Sequence, residues 1–172
     1  IHMKMYGFSI LMGGLTAGLV GFIIGLICVR LREWFLALVT FGFSIILEAA
    51  TIEVEWLTAG TFGLAVPSLL PSLSHYFYVM WLAALVSMLI TYLIVNSRLG
   101  VAMAAIRENE EEAKASGVNP VKYRLIAFSI STFIAGVMGA LYVHFIGFVN
   151  PQIFGLNYSF WPVIISVIGG MS

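Results

Sequence analysis

Aspartate is absent from this chain, cysteine occurs once, and eight lysines and arginines with eight glutamates make up only 9% of the residues. Each shortage removes a class of function. Without aspartate, and with histidines scattered at positions 2, 75 and 144, the sequence supplies no Ser/His/Asp or Cys/His constellation for catalysis. No His, Cys or carboxylate partner stands at metal-ligand spacing from His144. The one cysteine, Cys28, lies in an apolar run, so no internal disulfide framework exists. No stretch reads G-x-x-x-x-G-K-[ST], which leaves no cradle of backbone amides for ATP phosphates. Net charge is zero and there is no polybasic run, which argues against nucleic acid as a partner. No enzyme activity, metal or cofactor is expected.

What the chain has instead is apolar length. It is 61% hydrophobic with a mean hydropathy of +1.05, whereas soluble domains carry roughly 25% charged residues to cover their surface. Its solvent is therefore a bilayer, and the predicted fold is an all-α polytopic transmembrane helical bundle. Crossing the hydrocarbon takes about 20 apolar residues. Residues 10–29, 34–52, 77–95 and 125–148 meet that length, and residues 160–172 form a partial fifth segment, too short to cross. Residues 53–75 contain Gly60, Gly63, Pro67 and Pro71 and read as loop or short helical pieces. Residues 1–5 read as a tag scar and N-terminal tail, ahead of one membrane domain over 6–172.

Basic residues set the orientation. Arg30 and Arg32 follow the first span; Arg98, Arg107, Lys114, Lys122 and Arg124 follow the third, and only Lys4 falls on the opposite side. The face holding the seven is expected to be cytoplasmic. An outward N-terminus without a signal peptide, and an end inside a half-built span, predict a fragment of a longer chain. Small residues four apart (Gly14 and Gly18, Gly21 and Gly25, Ala135 and Gly139, Gly136 and Ala140) predict helix-packing faces on the first and fourth spans.

Residues 96–124, NSRLGVAMAAIRENEEEAKASGVNPVKYR, hold nine of the sixteen charges. Within them, residues 101–116 are rich in alanine and glutamate and predict one helix, a rod of about 24 Å. Glu110 and Lys114 are ordered for an i,i+4 pair, and Arg107 is expected to reach Glu110 and Glu111. Gly117 stands where a left-handed C-cap belongs. Asn119 and Pro120 open the next helix. Ala102, Ala105, Ile106, Asn109 and Ala113 share one narrow face, whose small residues suit insertion into a protein cleft; a solvated linker helix is the alternative.

Elsewhere Glu48 is the one Asp, Glu, Lys or Arg inside a predicted span, and Thr40, Ser44 and Glu48 at i, i+4 and i+8 share a helical face. Such a stripe suits a polar substrate pathway; polar groups bonded to their own helix are the alternative. His144 reads as a packed or hydrogen-bonded histidine. Tyr76, Phe77, Tyr78 and Trp81 read as an interfacial belt. Trp161 and Pro162 are expected to open the last segment.

These residues carry a resemblance. Ser97-Arg98-Leu99-Gly100, Ala105-Ile106-Arg107-Glu108-Asn109-Glu110, Ala113, Gly117-Val118-Asn119, Ala127-Phe128, Ala135-Gly136, Gly139-Ala140-Leu141, Pro151, Ser159 and Gly169-Gly170 resemble the permease subunits of branched-chain amino-acid ABC transporters, more the LivM than the LivH type. A looser match covers Val29-Arg30-Leu31-Arg32, Ala37-Leu38-Val39-Thr40 and Phe43-Ser44. Glu111-Glu112-Ala113 followed by Gly117 is similar to the Glu-Ala-Ala…Gly signature of ABC permease coupling loops. The Ile-x-Leu-Pro that follows in that signature is missing, Glu33-Trp34-Phe35 replaces the common Gly-x-Tyr-Phe, and the outer Thr-Gly-Gly-x-x-Gly reads Thr58-Ala59-Gly60-x-x-Gly63. The resemblance implies a multi-pass protein of a prokaryotic plasma (inner) membrane. It implies a second permease subunit as a heterodimer partner, two ATP-binding subunits that hydrolyse ATP, and an extracytoplasmic substrate-binding protein. Ala105, Ile106, Arg107, Glu108, Asn109, Glu111, Glu112, Ala113 and Gly117 would then form the ATPase-coupling loop. A urea or short-amide permease and a non-transporting membrane scaffold are the alternatives to amino-acid import.

Overall fold

A computed structural model describes residues 2–28, 33–67 and 72–169. Along the chain run α1 (His2–Cys28), α2 (Glu33–Glu53), α3 (Glu55–Thr58), a 3-10 turn (Gly60–Phe62) and β1 (Leu64–Ala65). Then come α4 (Leu73–Val95), α5 (Arg98–Glu108), α6 (Glu110–Ala115), α7 (Pro120–Ile146), β2 (Phe148–Val149), a second 3-10 turn (Pro151–Phe154) and α8 (Leu156–Gly169). Arg30, Arg32, Pro71 and Gly170, each named above, lie outside the described residues. Among the described residues four segments are long and apolar enough to cross a membrane, Gly7–Cys28, Ser74–Val95, Pro120–Ile146 and Pro151–Gly169; the span predicted over 34–52 is not one of them.

The chain divides into two compact units. The first joins Ile1–Arg30 to Ser68–Phe145 and contains α1, α4, α5, α6 and nearly all of α7. Its seam is α1 against antiparallel α7, made close by glycine. A methyl group on Gly13 would stand 3.1 Å from the Ala140 Cβ, one on Gly14 2.5 Å from Val137 Cγ2, and one on Gly25 2.9 Å from Leu125 Cδ1. One on Gly21 would collide with Thr132, and one on Gly136 with Ala17. Lipid supplies no hydrophobic drive between helices, so close backbone approach with its dispersion contacts provides the attraction. Of the two small-residue registers predicted on α7, Gly136 and Ala140 meet α1, whereas Gly139 has nothing within 4 Å of its missing side chain and Ala135 is exposed.

Opposite ends of this unit differ in character. At the end where α4 begins, Tyr76 is buried, donates to the His144 carbonyl at 2.9 Å and packs edge-on against Phe145. Tyr76 therefore leaves the predicted belt, while Phe77, Tyr78 and Trp81 stay exposed. The His144 ring is buried, with Nε2 3.5 Å from Ser9 Oγ. At the other end α1 finishes beside the start of α7, with Gly25 against Leu125 and Phe128.

The second unit joins Leu31–Pro67 to Ile146–Ser172. The Pro151–Phe154 turn packs along α2, and β1 pairs antiparallel with β2, Leu64 opposite Val149 and Ala65 opposite Phe148. Val66 N–H donates to Gly147 O at 2.9 Å, extending the pairing. The last helix departs from expectation. It begins at Leu156 rather than Phe160, so that Pro151–Gly169 reaches crossing length. The polar residues before Phe160 do not interrupt it, because the Ser159 hydroxyl bonds within the unit. Pro162 lies inside α8, in its second turn, and offers no N–H to the Tyr158 carbonyl.

Candidate functional site

The charged segment folds as an elbow between α4 and α7. Ser97 makes the first corner: its Oγ donates to Ile94 O at 2.6 Å and accepts from Leu99 N–H at 3.2 Å, capping α5. Gly100 lies against the Val95 carbonyl, where any side chain would collide with backbone. The Ser-Arg-Leu-Gly motif is thus the joint of a tight turn.

The helix predicted over 101–116 is two helices. Asn109 adopts extended backbone (φ −155, ψ 108) and ends α5. Its Oδ1 accepts from the N–H groups of Glu111 and Glu112 at 3.1 and 3.4 Å, and its Nδ2 donates to Glu112 Oε1 at 2.6 Å. Glu110, Glu111 and Glu112 then fill the first turn of α6, where carboxylates favour the positive helix end. A cap on the second helix outweighs continuing the first.

Gly117 closes α6 as predicted, in the left-handed region at φ +85. Its N–H donates to Lys114 O at 3.0 Å and that of Val118 to Ala113 O at 2.9 Å, the two bonds of a Schellman motif. Asn119 Oδ1 accepts from Lys122 N–H at 3.2 Å, and Pro120 opens α7. Lys114 pairs with Glu110 at 3.1 Å and Glu111 at 3.0 Å. Glu110 takes Arg124 at 2.9 Å as its second partner, in place of the expected Arg107. The Lys114 ammonium, with Arg124 behind it, holds the Glu110 carboxyl below the usual carboxylate range. Glu111 and Glu110 raise the Lys114 ammonium.

Folding at Asn109 changes which side chains are available. Ala102, Ile106 and Ala113 are buried within the chain at 8%, 5% and 4% exposure, and Ala105 is half-buried. Arg107, Glu108, Asn109, Glu111, Glu112 and Gly117 are exposed, with Val101 at 68%. The small-residue face predicted to enter a cleft is in large part already covered.

In the second unit, Thr40 and Ser44 line one wall of a cavity of about 700 Å³, faced by Leu38, Phe41, Phe160 and Val163. Ser44 Oγ donates to Phe154 O at 2.7 Å and lies 3.2 Å from Ser159 Oγ. Ser159 Oγ reaches the same carbonyl at 3.4 Å, so two hydroxyls clamp the start of α8 onto α2. Glu48 does not line this cavity; it is half-buried, and a methyl on Gly155 would lie 3.9 Å from its Oε1. The stripe is split, two hydroxyls at the cavity and the carboxylate beside the turn into α8. Among the described residues no group of three or more His, Cys, Asp or Glu gathers as a metal site.

Long apolar helices joined at one end by a capped, ion-paired elbow define a polytopic membrane protein with a built water-side element. The family described as branched-chain amino acid transport system / permease component matches residues 3–172, and the chain belongs to it. The high-affinity branched-chain amino acid transport system permease protein LivM of Salmonella typhimurium is 30% identical over 190 residues, covering 93% of this chain and 45% of that protein. LivM of Escherichia coli is 30% identical over 188 residues, covering 92% and 44%. A probable LivM of Methanocaldococcus jannaschii is 25% identical over 169 residues, covering 91% and 48%. The chain thus spans slightly less than half the length of the curated relatives it matches. No solved structure matches it.

Proposed function

We propose that this chain is the membrane-embedded part of a permease subunit of an ATP-binding-cassette importer that moves branched-chain or similarly small amino acids inward across a prokaryotic plasma membrane. Family membership supports the substrate class, and the elbow is the observation that carries the mechanism. An isolated linker would need neither a glycine pressed on the Val95 carbonyl nor caps at both ends of α6. One of two ATP-binding subunits docks on the exposed side of α5 and α6, at Val101, Arg107, Glu108 and Glu111. Its movement passes through the Ser97–Gly100 joint into α4 and through the Gly117–Pro120 joint into α7. A second permease subunit completes the pathway, and an extracytoplasmic binding protein delivers the amino acid.

Thr40, Ser44 and Glu48 belong to that pathway in this reading, as a polar line beside an apolar wall. The wall of Leu38, Phe41, Phe160 and Val163 favours an aliphatic substrate over urea, which has no apolar part to bury. The deciding experiment is ATP hydrolysis by the full-length complex. Stimulation by leucine and not by urea supports amino-acid import, the reverse selects the amide permease, and no stimulation by either selects a scaffold.

A further inference from the structure

A second, smaller cavity of about 90 Å³ lies in the same unit, between the end of α2 and the β1–β2 pairing. Leu64, Val149 and Phe154 supply apolar wall, and Thr51, Thr58 and Asn150 supply the polar atoms. Both threonine hydroxyls are committed to the backbone. Thr51 Oγ1 donates to Leu47 O and Glu48 O at 2.9 and 2.8 Å, and Thr58 Oγ1 donates to Val54 O at 2.8 Å while accepting from Gly60 N–H at 3.3 Å. The Asn150 side-chain amide makes no hydrogen bond among the described residues, although it stands at the head of the Pro151–Phe154 turn, where a capping bond would form.

The walls of this cavity are held by backbone that only special residues accept. Ala59, Gly60 and Gly63 all have positive φ (+56, +56 and +71). A side chain on Gly63 would collide with the Val149 carbonyl. Phe62 N–H closes on Ala59 O at 3.2 Å, and the Leu64–Val149 pairing fixes the two walls to each other. Chain segments more than eighty residues apart, 51–64 and 149–154, are thus locked around a small apolar space with one uncommitted amide. Strained backbone persists where its surroundings determine it, and such places concentrate at binding sites.

We propose that this cavity is the side-chain pocket for the transported amino acid and that Asn150 anchors its common end. The proposal rests on the permease reading above. About 90 Å³ is the space of about three waters, too small for a whole ligand of ordinary size and suited to one branched alkyl group of three or four carbons. A neutral amide serves both ends of a zwitterion, Nδ2 donating to the carboxylate and Oδ1 accepting from the ammonium.

The test is uptake of leucine and of valine, one carbon shorter, by cells expressing the full-length permease with its transport partners. Val149→Leu adds one methylene to the wall and is expected to raise the KM for leucine about tenfold while moving that for valine less than about threefold. Leu64→Ala enlarges the space and is expected to make phenylalanine compete with leucine about tenfold better. Asn150→Ala is expected to weaken leucine and valine alike, since it removes what their common end binds. Wild-type protein that transports neither amino acid overturns the permease reading and this proposal with it. Wild-type transport with a leucine-to-valine ratio unmoved by Val149→Leu and Leu64→Ala overturns the pocket alone, and unchanged uptake by Asn150→Ala overturns the anchor.

Discussion

The α1–α7 seam and the α5–α6 elbow hold the same unit together by opposite means. Along the seam, attraction comes from what is left out: Gly13, Gly14, Gly21, Gly25 and Gly136 carry no side chain, and the helices close to backbone range. At the elbow, stability comes from added polar groups: Ser97, Asn109 and Asn119 caps, a Schellman closure, and Glu110 between Lys114 and Arg124. The difference follows the solvent. In hydrocarbon each long helix already satisfies its own backbone, so only packing remains to be gained. In water, short helices of eleven and six residues leave their end groups open, and caps decide whether they form.

Breaking the seam is expected to have the largest effect. Gly136→Leu places a side chain into Ala17 and α1, an overpacking worth about 1–3 kcal/mol or more, whereas Gly139→Leu, three residues on and facing open space, is expected to change little. Thermal unfolding in detergent compares the pair, and equal effects would dissolve the seam. At the elbow, Asn109→Ala removes the cap on α6 and is expected to cost about 1 kcal/mol. Hydrogen exchange over residues 110–118 reads it, with faster exchange expected there and unchanged exchange in α7. The smallest effect is the pH dependence of the same amides. Glu110 is depressed, so its contribution is present above its unfolded pKa and lost as pH falls through the folded value. Lys114 is raised, so its contribution is present below its unfolded pKa and lost as pH rises through the folded one. Protection is therefore expected to be greatest in the interval between the two and to fall at both extremes; Glu110→Gln is expected to lose the fall at low pH and to keep the fall at high pH, because Lys114 retains Glu111. With both groups largely in water, added salt should flatten both falls.

How far the sequence reached also divides along this line. The long helices over 7–28, 74–95 and 120–146 were legible because run length and lack of charge determine them, and Gly117 and Asn119–Pro120 because their chemistry admits few other places. The register on α7 was not legible, since Ala135–Gly139 and Gly136–Ala140 satisfy the same rule and only the partner helix distinguishes them. The break at Asn109 hid inside a run of good helix formers, yet Asn109 with Glu112 three residues later has the spacing of a capping box, a signal carried by the amino acids alone. The start of α8 falls four residues ahead of the predicted Phe160, because the Ser159 hydroxyl finds partners, Ser44 and the Phe154 carbonyl, that come from chain more than a hundred residues away and from a 3-10 turn. Ala59 shows the reverse case, a residue whose cost only the backbone reveals. It stands in the left-handed region that favours glycine, and Ala59→Gly is expected to stabilise the protein by about 0.5–1 kcal/mol in thermal unfolding.

The central claim is that the elbow is where ATP-driven movement enters the membrane helices. Since Ala102, Ile106 and Ala113 are covered by the chain itself, Ala113→Arg would test folding, and the discriminating change lies on the open side of α5. Leucine-stimulated ATP hydrolysis by the full-length complex in proteoliposomes, measured for wild type and for Val101→Arg, tests this most directly. An uncompensated charge in a docked interface typically costs several kcal/mol. Val101→Arg is therefore expected to abolish the stimulation or release the ATP-binding subunits, with membrane abundance and unfolding temperature unchanged. Full stimulation and normal subunit association in the variant would contradict the account.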